Sequence, residues 1–232
     1  MSIYISFVIP AYNEELRISQ TINKVFDYFG KQNFEFEIIV VDDGSKDNTQ
    51  IVMKNFPNVK YIKLVQNQGK GAAVRTGMLA AQGKYIIFSD ADLSTPVYEI
   101  PKLLKYLENG YDVCIGSRAL DSSMIKVHQP FYREFMGKTF NKLVQLLVVK
   151  GISDTQCGFK GFTKQASEII FSKQIINGFG FDVEIIYLAK LANLKIKEIP
   201  VEWYNDDRSK VHPIKDSIKM LSEIIKIRNL HK

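Results

Sequence analysis

The sequence predicts an α/β protein with a doubly wound, mostly parallel, Rossmann-like sheet. Three observations carry this reading. Near-continuous apolar runs of strand length recur through the first half, such as SFVIP, EIIVV and YIIFS; strands buried on both faces read this way. Between them lie segments with apolar residues at helical spacing. Each apolar run also ends in polar residues, and open parallel sheets bind ligands beyond their strand carboxyl ends.

The elements follow in chain order. IYISFVIP (3–10) is an apolar strand, and residues 13–30 form a helix with Leu16, Ile18, Ile22, Val25, Phe26 and Phe29 at helical spacing. Asn13 suits its N-cap and Gly30 stops it. FEIIVVDDGS (36–45) is the second strand, and the helix after it takes Ser45 or Asp47 as cap. A third strand spans 59–65, a small-residue helix 69–83, a fourth strand 84–89, a helix 96–110 and a fifth strand 111–118. Beyond 118 the regularity weakens. Residues 121–130 read as a loop, 131–151 as a long amphipathic helix, and 152–163 as a turn-rich segment leading into a strand. A helix (178–192), a strand (194–204), a polar loop (205–213) and a last helix (214–230) complete the chain.

A chain of 232 residues, 46% hydrophobic and 24% charged, suits one large domain. A net charge of +6 suits anionic partners: nucleic acid, phosphorylated substrates or an acidic membrane face. Cys114 and Cys157 have no metal-ligand spacing and read as partly buried thiols of a reducing compartment. His128, His212 and His231 show no metal spacing either. The N-terminus lacks a signal-peptide pattern, and no stretch approaches a membrane span. The chain is expected to be soluble or peripheral.

The chemistry lies at the strand ends. Asp90-Ala91-Asp92 follows the fourth strand. Two carboxylates so placed either cap a turn or share a divalent cation with a diphosphate, since hard oxygen ligands suit magnesium or manganese. VDDGS (41–45) puts a second acidic pair at a neighbouring strand end. PAYNE (10–14) supplies Tyr12, which could stack on a base, and Glu14, which could accept from it. The glycine-rich 67–77 stretch has neither P-loop spacing nor the dinucleotide fingerprint; Lys70 and Arg75 there either contact phosphate or pair with the aspartates.

The ordered set V-I-P-A-Y-N-E, V-D-D-G-S-x-D-x-T, N-x-G-K-G-A-A-V-R-x-G and D-A-D-L-S-T-P resembles the inverting, GT-A-fold glycosyltransferases of family two. Later pieces narrow the resemblance: I-G-S-R (115–118), F-Y-R (131–133), D-T-Q-C-G-F-K (154–160), G-F-x-F-D-V-E (178–184) and R-S-K (208–210). They are similar to the dolichyl-phosphate branch, with D-T-Q-C-G-F-K and F-D-V-E leaning to glucosyl rather than mannosyl enzymes. The resemblance implies a GT-A fold with C-terminal acceptor-side helices. Its nucleotide-sugar half would be 1–118 and its acceptor half 119–232, within one domain. Pro10, Tyr12, Glu14 and Asp43 would hold the base, and Asp90, Ala91 and Asp92 the metal and nucleotide, with Ser94 a further ligand. Lys70 would join the nucleotide site. Arg118 and Arg133 would bind the lipid phosphate, and Arg208, Ser209 and Lys210 would close over the diphosphate.

The implied reaction moves glucose from UDP-glucose to a polyprenyl phosphate with magnesium or manganese. GDP-mannose is the alternative donor. A sugar-hydroxyl acceptor is the alternative acceptor and would need a carboxylate base, for which Asp182 is the candidate; otherwise Asp182 is structural. Helix 131–151, with Phe131, Phe135 and Phe140, either lines an isoprenoid entrance or packs in the core. The lysines of the last helix either meet an anionic membrane or face water. No nucleic-acid partner is expected. The enzyme would sit peripherally on the cytosolic membrane face, with room for a membrane-protein partner. Outside this class stand a nucleotide-binding module and a nucleotidyltransferase; the latter would show a glycine- and arginine-rich loop where this chain has PAYNE.

Overall fold

The computed structural model describes residues 2–128, 131–206 and 213–231, side chains excepted at 123, 131–136, 138 and 213–218. The first half alternates as expected: β1 (Ile5–Ala11), α1 (Ile18–Phe29), β2 (Phe36–Asp42), α2 (Thr49–Met53), β3 (Lys60–Lys63), α3 (Lys70–Ala80), β4 (Tyr85–Ser89), α4 (Ile100–Glu108) and β5 (Val113–Ser117). Then come β6 (Ile125–Val127), α5 (Phe131–Leu147), β7 (Phe159–Thr163), α6 (Lys164–Phe171), α7 (Phe181–Leu191), β8 (Ile196–Pro200), β9 (Trp203–Tyr204) and α8 (Pro213–Leu230).

Seven strands form one sheet in the order β3-β2-β1-β4-β7-β5-β8, and β6 pairs with β9 apart from it. All pairings in the large sheet are parallel except those of β7, which runs antiparallel between β4 and β5. The mostly parallel, doubly wound expectation therefore holds. β1, β4 and β5 are buried along their whole length, which is why their sequences are apolar without alternation.

Two helical layers cover the sheet. On one face, Ile18, Ile22, Val25 and Phe29 of α1 pack with Ile100, Leu103 and Leu107 of α4 against Phe7, Ile9 and Ile87. Each such side chain contributes about 1.5–3 kcal/mol on burial. On the other face, Val74 and Met78 of α3, Ile170 and Phe171 of α6, Val183 and Ile186 of α7, and Ile224 and Ile227 of α8 pack against Val8, Val41, Phe88 and Ile115. Phe88 of β4 stacks on Phe162 of β7 and tilts against Phe181 of α7. These rings fix the level at which the acidic end of β4 emerges.

Several expectations are corrected. The first helix starts at Ile18, because Asn13 adopts a left-handed backbone (φ 56°) and its side-chain oxygen accepts the Lys46 amide. It ties two strand-end loops together instead of capping a helix. Asp47, not Ser45, tends the start of α2: its carboxylate accepts from the Thr49 amide and hydroxyl, while Ser45 accepts the Asn13 amide. The expected loop 121–130 contains β6, held by parallel pairing to β9. The expected strand 194–204 is two strands, and the chain leaves the large sheet after Pro200. Helix α6, capped by Thr163 accepting from the Ala166 amide, had no counterpart in the sequence reading. Both cysteines are fully, not partly, buried free thiols.

Gly77 of α3 marks where this helix meets the sheet. A Cβ there would lie 2.4 Å from Cγ1 of Val8 and 3.0 Å from Cγ2 of Val41. Both neighbours are β-branched and stiff. Gly77→Ala is expected to destabilise by about 1–3 kcal/mol through overpacking, against the gain of about 1 kcal/mol an exposed helical glycine would show. Urea unfolding of the variant decides the sign.

Candidate active site

The strand ends of β1, β2, β4 and β5 meet at one lip. The Asn13 amide donates to Ser45 Oγ at 2.8 Å and the Glu14 amide to Thr49 Oγ1 at 2.8 Å, joining the first two loops. The hydroxyl of Thr21 donates to the Ala91 carbonyl at 2.5 Å, joining α1 to the acidic loop after β4. Pro10 is buried in β1, Tyr12 is half-buried beside it, and Ala91 is buried between the two aspartates.

Asp42 and Asp43 behave differently. Asp42 is fully buried and accepts the Ser45 amide at 2.7 Å and the Tyr61 hydroxyl. Asp43 accepts from Asn67 Nδ2 (2.8 Å) and from the amides of Gln68 (2.8 Å) and Gly69 (2.9 Å). It thereby fixes the glycine-rich turn that starts α3. Burial pushes its pKa up, opposed by those amide donors.

Asp90 and Asp92 stand at the end of β4. The Asp90 amide donates to the Gly158 carbonyl at 3.1 Å. Its carboxylate lies so close to Gly158 that a Cβ there would sit 2.1 Å from Oδ2. Asp90 Oδ1 pairs with Lys70 Nζ at 2.6 Å. Asp92 Oδ1 accepts the Ser94 amide at 2.9 Å, so the turn-capping reading of this aspartate is realised. Burial, then the neighbouring Asp90, push Asp92 upward in pKa. Lys70, at the first position of α3, is lowered by burial but raised more by Asp90, Asp182 and Asp92, to about 12. Arg75 is not part of this cluster; it donates to the Gln174 carbonyl.

Beneath the lip lies a second ion pair. Lys160 of β7 has no solvent exposure, pairs with Asp182 of α7 and donates to the Cys157 carbonyl at 2.6 Å. Asp182 is itself buried, which raises its pKa against the opposing pull of Lys160 and Lys70. Glu184 accepts the Ile175 and Ile176 amides (2.9 and 2.8 Å) and meets His231 at 2.7 Å, a structural arrangement.

Arg118 follows β5. Its guanidinium grips Asp154 in a two-pronged pair (Nε to Oδ2 2.7 Å, Nη2 to Oδ1 2.9 Å) and its centre lies 5.5 Å from the Trp203 ring centroid. Burial would raise Asp154, but Arg118 outweighs it and holds the carboxyl below its usual range. The amides of Ser153 and Asp154 donate to Glu198 of β8, fixing the turn in its own right. Glu14, expected in the base pocket, is engaged by Arg17, whose Nη2 reaches Oε1 at 2.8 Å and whose Nη1 reaches Asp206 at 3.2 Å. Asp92 lies within the field that raises Arg17.

The structure thus brings together Pro10, Tyr12, Glu14, Asp43, Lys70, Asp90, Asp92, Ser94, Arg118 and Asp182. Arg133 belongs to α5, its side chain outside the described residues, and Arg208, Ser209 and Lys210 lie wholly outside the described residues. Sequence reasoning missed Arg17, Lys160 and Asp154. Lys160 and Asp154 stand inside the quoted D-T-Q-C-G-F-K, and Arg17 sits three residues after Glu14, a helical ion-pair spacing.

Asp90 and Asp92 suit a divalent cation. They are hard oxygen donors whose mutual repulsion already shows in Asp92, and Asp90 already draws a cation, the Lys70 ammonium. Among the described residues there is no cluster of three histidine, cysteine, aspartate or glutamate side chains able to hold a metal. Two carboxylates with phosphate and water completing the shell is the usual arrangement for magnesium.

The family profile described as Glycosyl transferase family 2 matches residues 6–171. The chain belongs to this family. It is a glycosyltransferase, and it is similar over nearly its whole length to dolichyl-phosphate beta-glucosyltransferases. That of Dictyostelium discoideum is 37% identical over 98% of this chain and 74% of the relative. The human one is 36% identical over 97% and 74%, and the Saccharomyces cerevisiae one 37% over 97% and 74%. Among solved structures, glucosyl-3-phosphoglycerate synthase of Mycobacterium tuberculosis bound to phosphoglyceric acid aligns with a TM-score of 0.73, covering 99% of this chain and 81% of that one at 16% identity. The same enzyme bound to Mn2+, UDP and glucosyl-3-phosphoglycerate aligns at 0.70 and 17% identity, covering 97% and 78%. The fold is GT-A, as the sequence motifs implied.

Asp154→Asn tests the Arg118 clamp. It leaves a largely buried guanidinium without its countercharge and is expected to cost about 2–4 kcal/mol, discounted for the partial exposure of Arg118. Because the folded pKa of Asp154 lies below its unfolded value, the contribution is complete above pH about 4 and lost as pH falls further. Denaturant unfolding at pH 7 and pH 3 should show the full wild-type advantage at the first and a smaller one at the second, the remainder being lost only as pH falls through the lowered folded pKa.

Proposed function

We propose that the protein transfers glucose from UDP-glucose to a polyprenyl, dolichyl-type phosphate with inversion at the anomeric carbon. The similarity to dolichyl-phosphate beta-glucosyltransferases supports the sugar and the lipid. The single structural observation that carries the phosphate acceptor is the state of Asp182. Its carboxylate is buried against Lys160, so it is committed to a countercharge rather than offered as a base. A phosphate oxygen is already an anion near neutral pH and attacks without one; a sugar hydroxyl would require one.

In this reading residues 1–118 hold the nucleotide sugar and 119–232 the acceptor. Pro10, Tyr12 and Asp43 shape the base pocket, with Glu14 steadied by Arg17. Asp90 and Asp92, with Ser94 beside them, would hold a magnesium or manganese ion, and Ala91 spaces them. That ion, when bound, would stabilise charge on the leaving diphosphate. Lys70 adds positive charge to the same end, and Arg208 and Lys210 are assigned there as well. Arg118 and Arg133 would hold the acceptor phosphate; arginine binds phosphate while leaving an oxygen nucleophilic. Attack by that oxygen forms the new C1–O bond as the bond to the UDP oxygen breaks. The lipid acceptor places the enzyme at a membrane surface, proposed to be the cytosolic face. Among the described residues no helix is long and apolar enough to cross a membrane.

The test offers purified protein with Mn2+ a panel of UDP-glucose, UDP-galactose, UDP-N-acetylglucosamine and GDP-mannose, each with and without a short polyprenyl phosphate. Release of UDP from UDP-glucose that depends on the lipid phosphate is the expected result. Turnover of GDP-mannose instead would replace the donor. Binding of UDP-glucose with no response to the lipid would end the phosphate-acceptor reading.

A further inference from the structure

The Lys70–Asp90 pair raises a problem that the proposed reaction does not solve by itself. The carboxylate expected to hold a divalent cation already holds a monovalent one. Lys70 Nζ lies 2.6 Å from Asp90 Oδ1, and the two side chains keep 20% and 35% exposure. The ammonium also lies 5.9 Å from the centroid of the Phe181 ring, on the flank of α7 that carries Asp182. Asp182 is held in place by Lys160, and Asp90 is held by the Gly158 carbonyl and close-packed against the Gly158 Cα. The two carboxylates nearest in effect to Lys70 are therefore fixed, while Lys70 ends a flexible four-carbon stem.

We infer that Lys70 is the resident cation of the Asp90 carboxylate, keeping the divalent metal's place until a nucleotide diphosphate arrives with it. This rests on the proposed assignment of Asp90 and Asp92 to a metal. Lys70 then leaves Asp90 for the incoming phosphate oxygens, still within the attraction of Asp182. The arrangement has a consequence for binding order. Two like-signed cations cannot share one carboxylate without repulsion, so metal binds weakly by itself. A diphosphate supplies new ligands to the metal and a new partner to Lys70 together, so metal and nucleotide bind with strong mutual enhancement. Lys70 thus guards the site against free divalent ions and ties metal capture to the presence of nucleotide.

The test measures Mn2+ alone, by the electron paramagnetic resonance of free Mn2+, on wild type and Lys70→Met. Removing the competing ammonium is expected to tighten Mn2+ binding without nucleotide by about tenfold. The enhancement of Mn2+ affinity by added UDP is expected to shrink in the variant, and UDP without metal to bind it more weakly. Should the methionine variant fold poorly, Lys70→Gln carries the same expectation, and Mn2+-induced gain in melting temperature gives a second readout. Unchanged or weaker Mn2+ binding in a folded Lys70 variant overturns the inference while leaving the metal assignment standing. Mn2+ binding to neither protein, even with UDP, removes the metal assignment and this inference with it.

Discussion

Lys160 has no solvent exposure, and the need to pair its buried charge is the constraint that organises the layer beneath the site. An unpaired buried ammonium is costly, and removing one partner of such a pair typically costs about 3–5 kcal/mol. Lys160 satisfies itself with Asp182 and the Cys157 carbonyl, and its ammonium lies 5.3 Å from the Phe88 ring centroid. These contacts set the turn before β7, and the next peptide of that turn receives the Asp90 amide. The seating of the first aspartate of the acidic pair is therefore linked to an ion pair in the layer below it. The antiparallel insertion of β7 between β4 and β5 makes this possible, because it brings a strand start, rather than a strand end, alongside Asp90.

Charge at the lip is balanced locally. Asp43 accepts from the turn before α3, Glu14 pairs with Arg17, and Arg118 with Asp154. Asp90 meets Lys70, while Asp92 is steadied by the Ser94 amide and by the field of Arg17. Burial, then repulsion from Asp90, push Asp92 upward in pKa. Lys70 and Arg118 are positive charges whose fields reach Asp90, and in the proposed reaction they would serve the leaving diphosphate and the acceptor phosphate.

Much of this was legible in the sequence. Strand-length apolar runs gave the sheet because β1, β4 and β5 are buried on both faces, and the acidic strand ends marked the lip. Family resemblance then supplied the candidate site residues that the proposed function uses. Other features were hidden for physical reasons. Arg118 and Asp154 are 36 positions apart and Lys160 and Asp182 are 22 apart, so their pairing depends on the fold and not on any local period. Lys160 inside an otherwise apolar strand reads as a surface residue until Asp182 is seen opposite it. β6 and β9 are three and two residues long, too short to show a strand period. The helix α6 carries a narrow buried stripe, Ala166, Ser167, Ile170 and Phe171, in a polar stretch.

The central claim is that Asp182 serves the site as the countercharge of Lys160 and not as a base. The direct measurement is the pH dependence of kcat for the charge-neutral double variant Lys160→Met/Asp182→Leu, with UDP-glucose and a short polyprenyl phosphate at saturation. Removing both charges together avoids leaving either one buried and unpaired. The account predicts a folded enzyme whose kcat stays within about tenfold of wild type, since no base is lost. A folded variant that binds UDP-glucose normally but has lost a factor of about a thousand or more in kcat, at the scale of a missing general base, would contradict it.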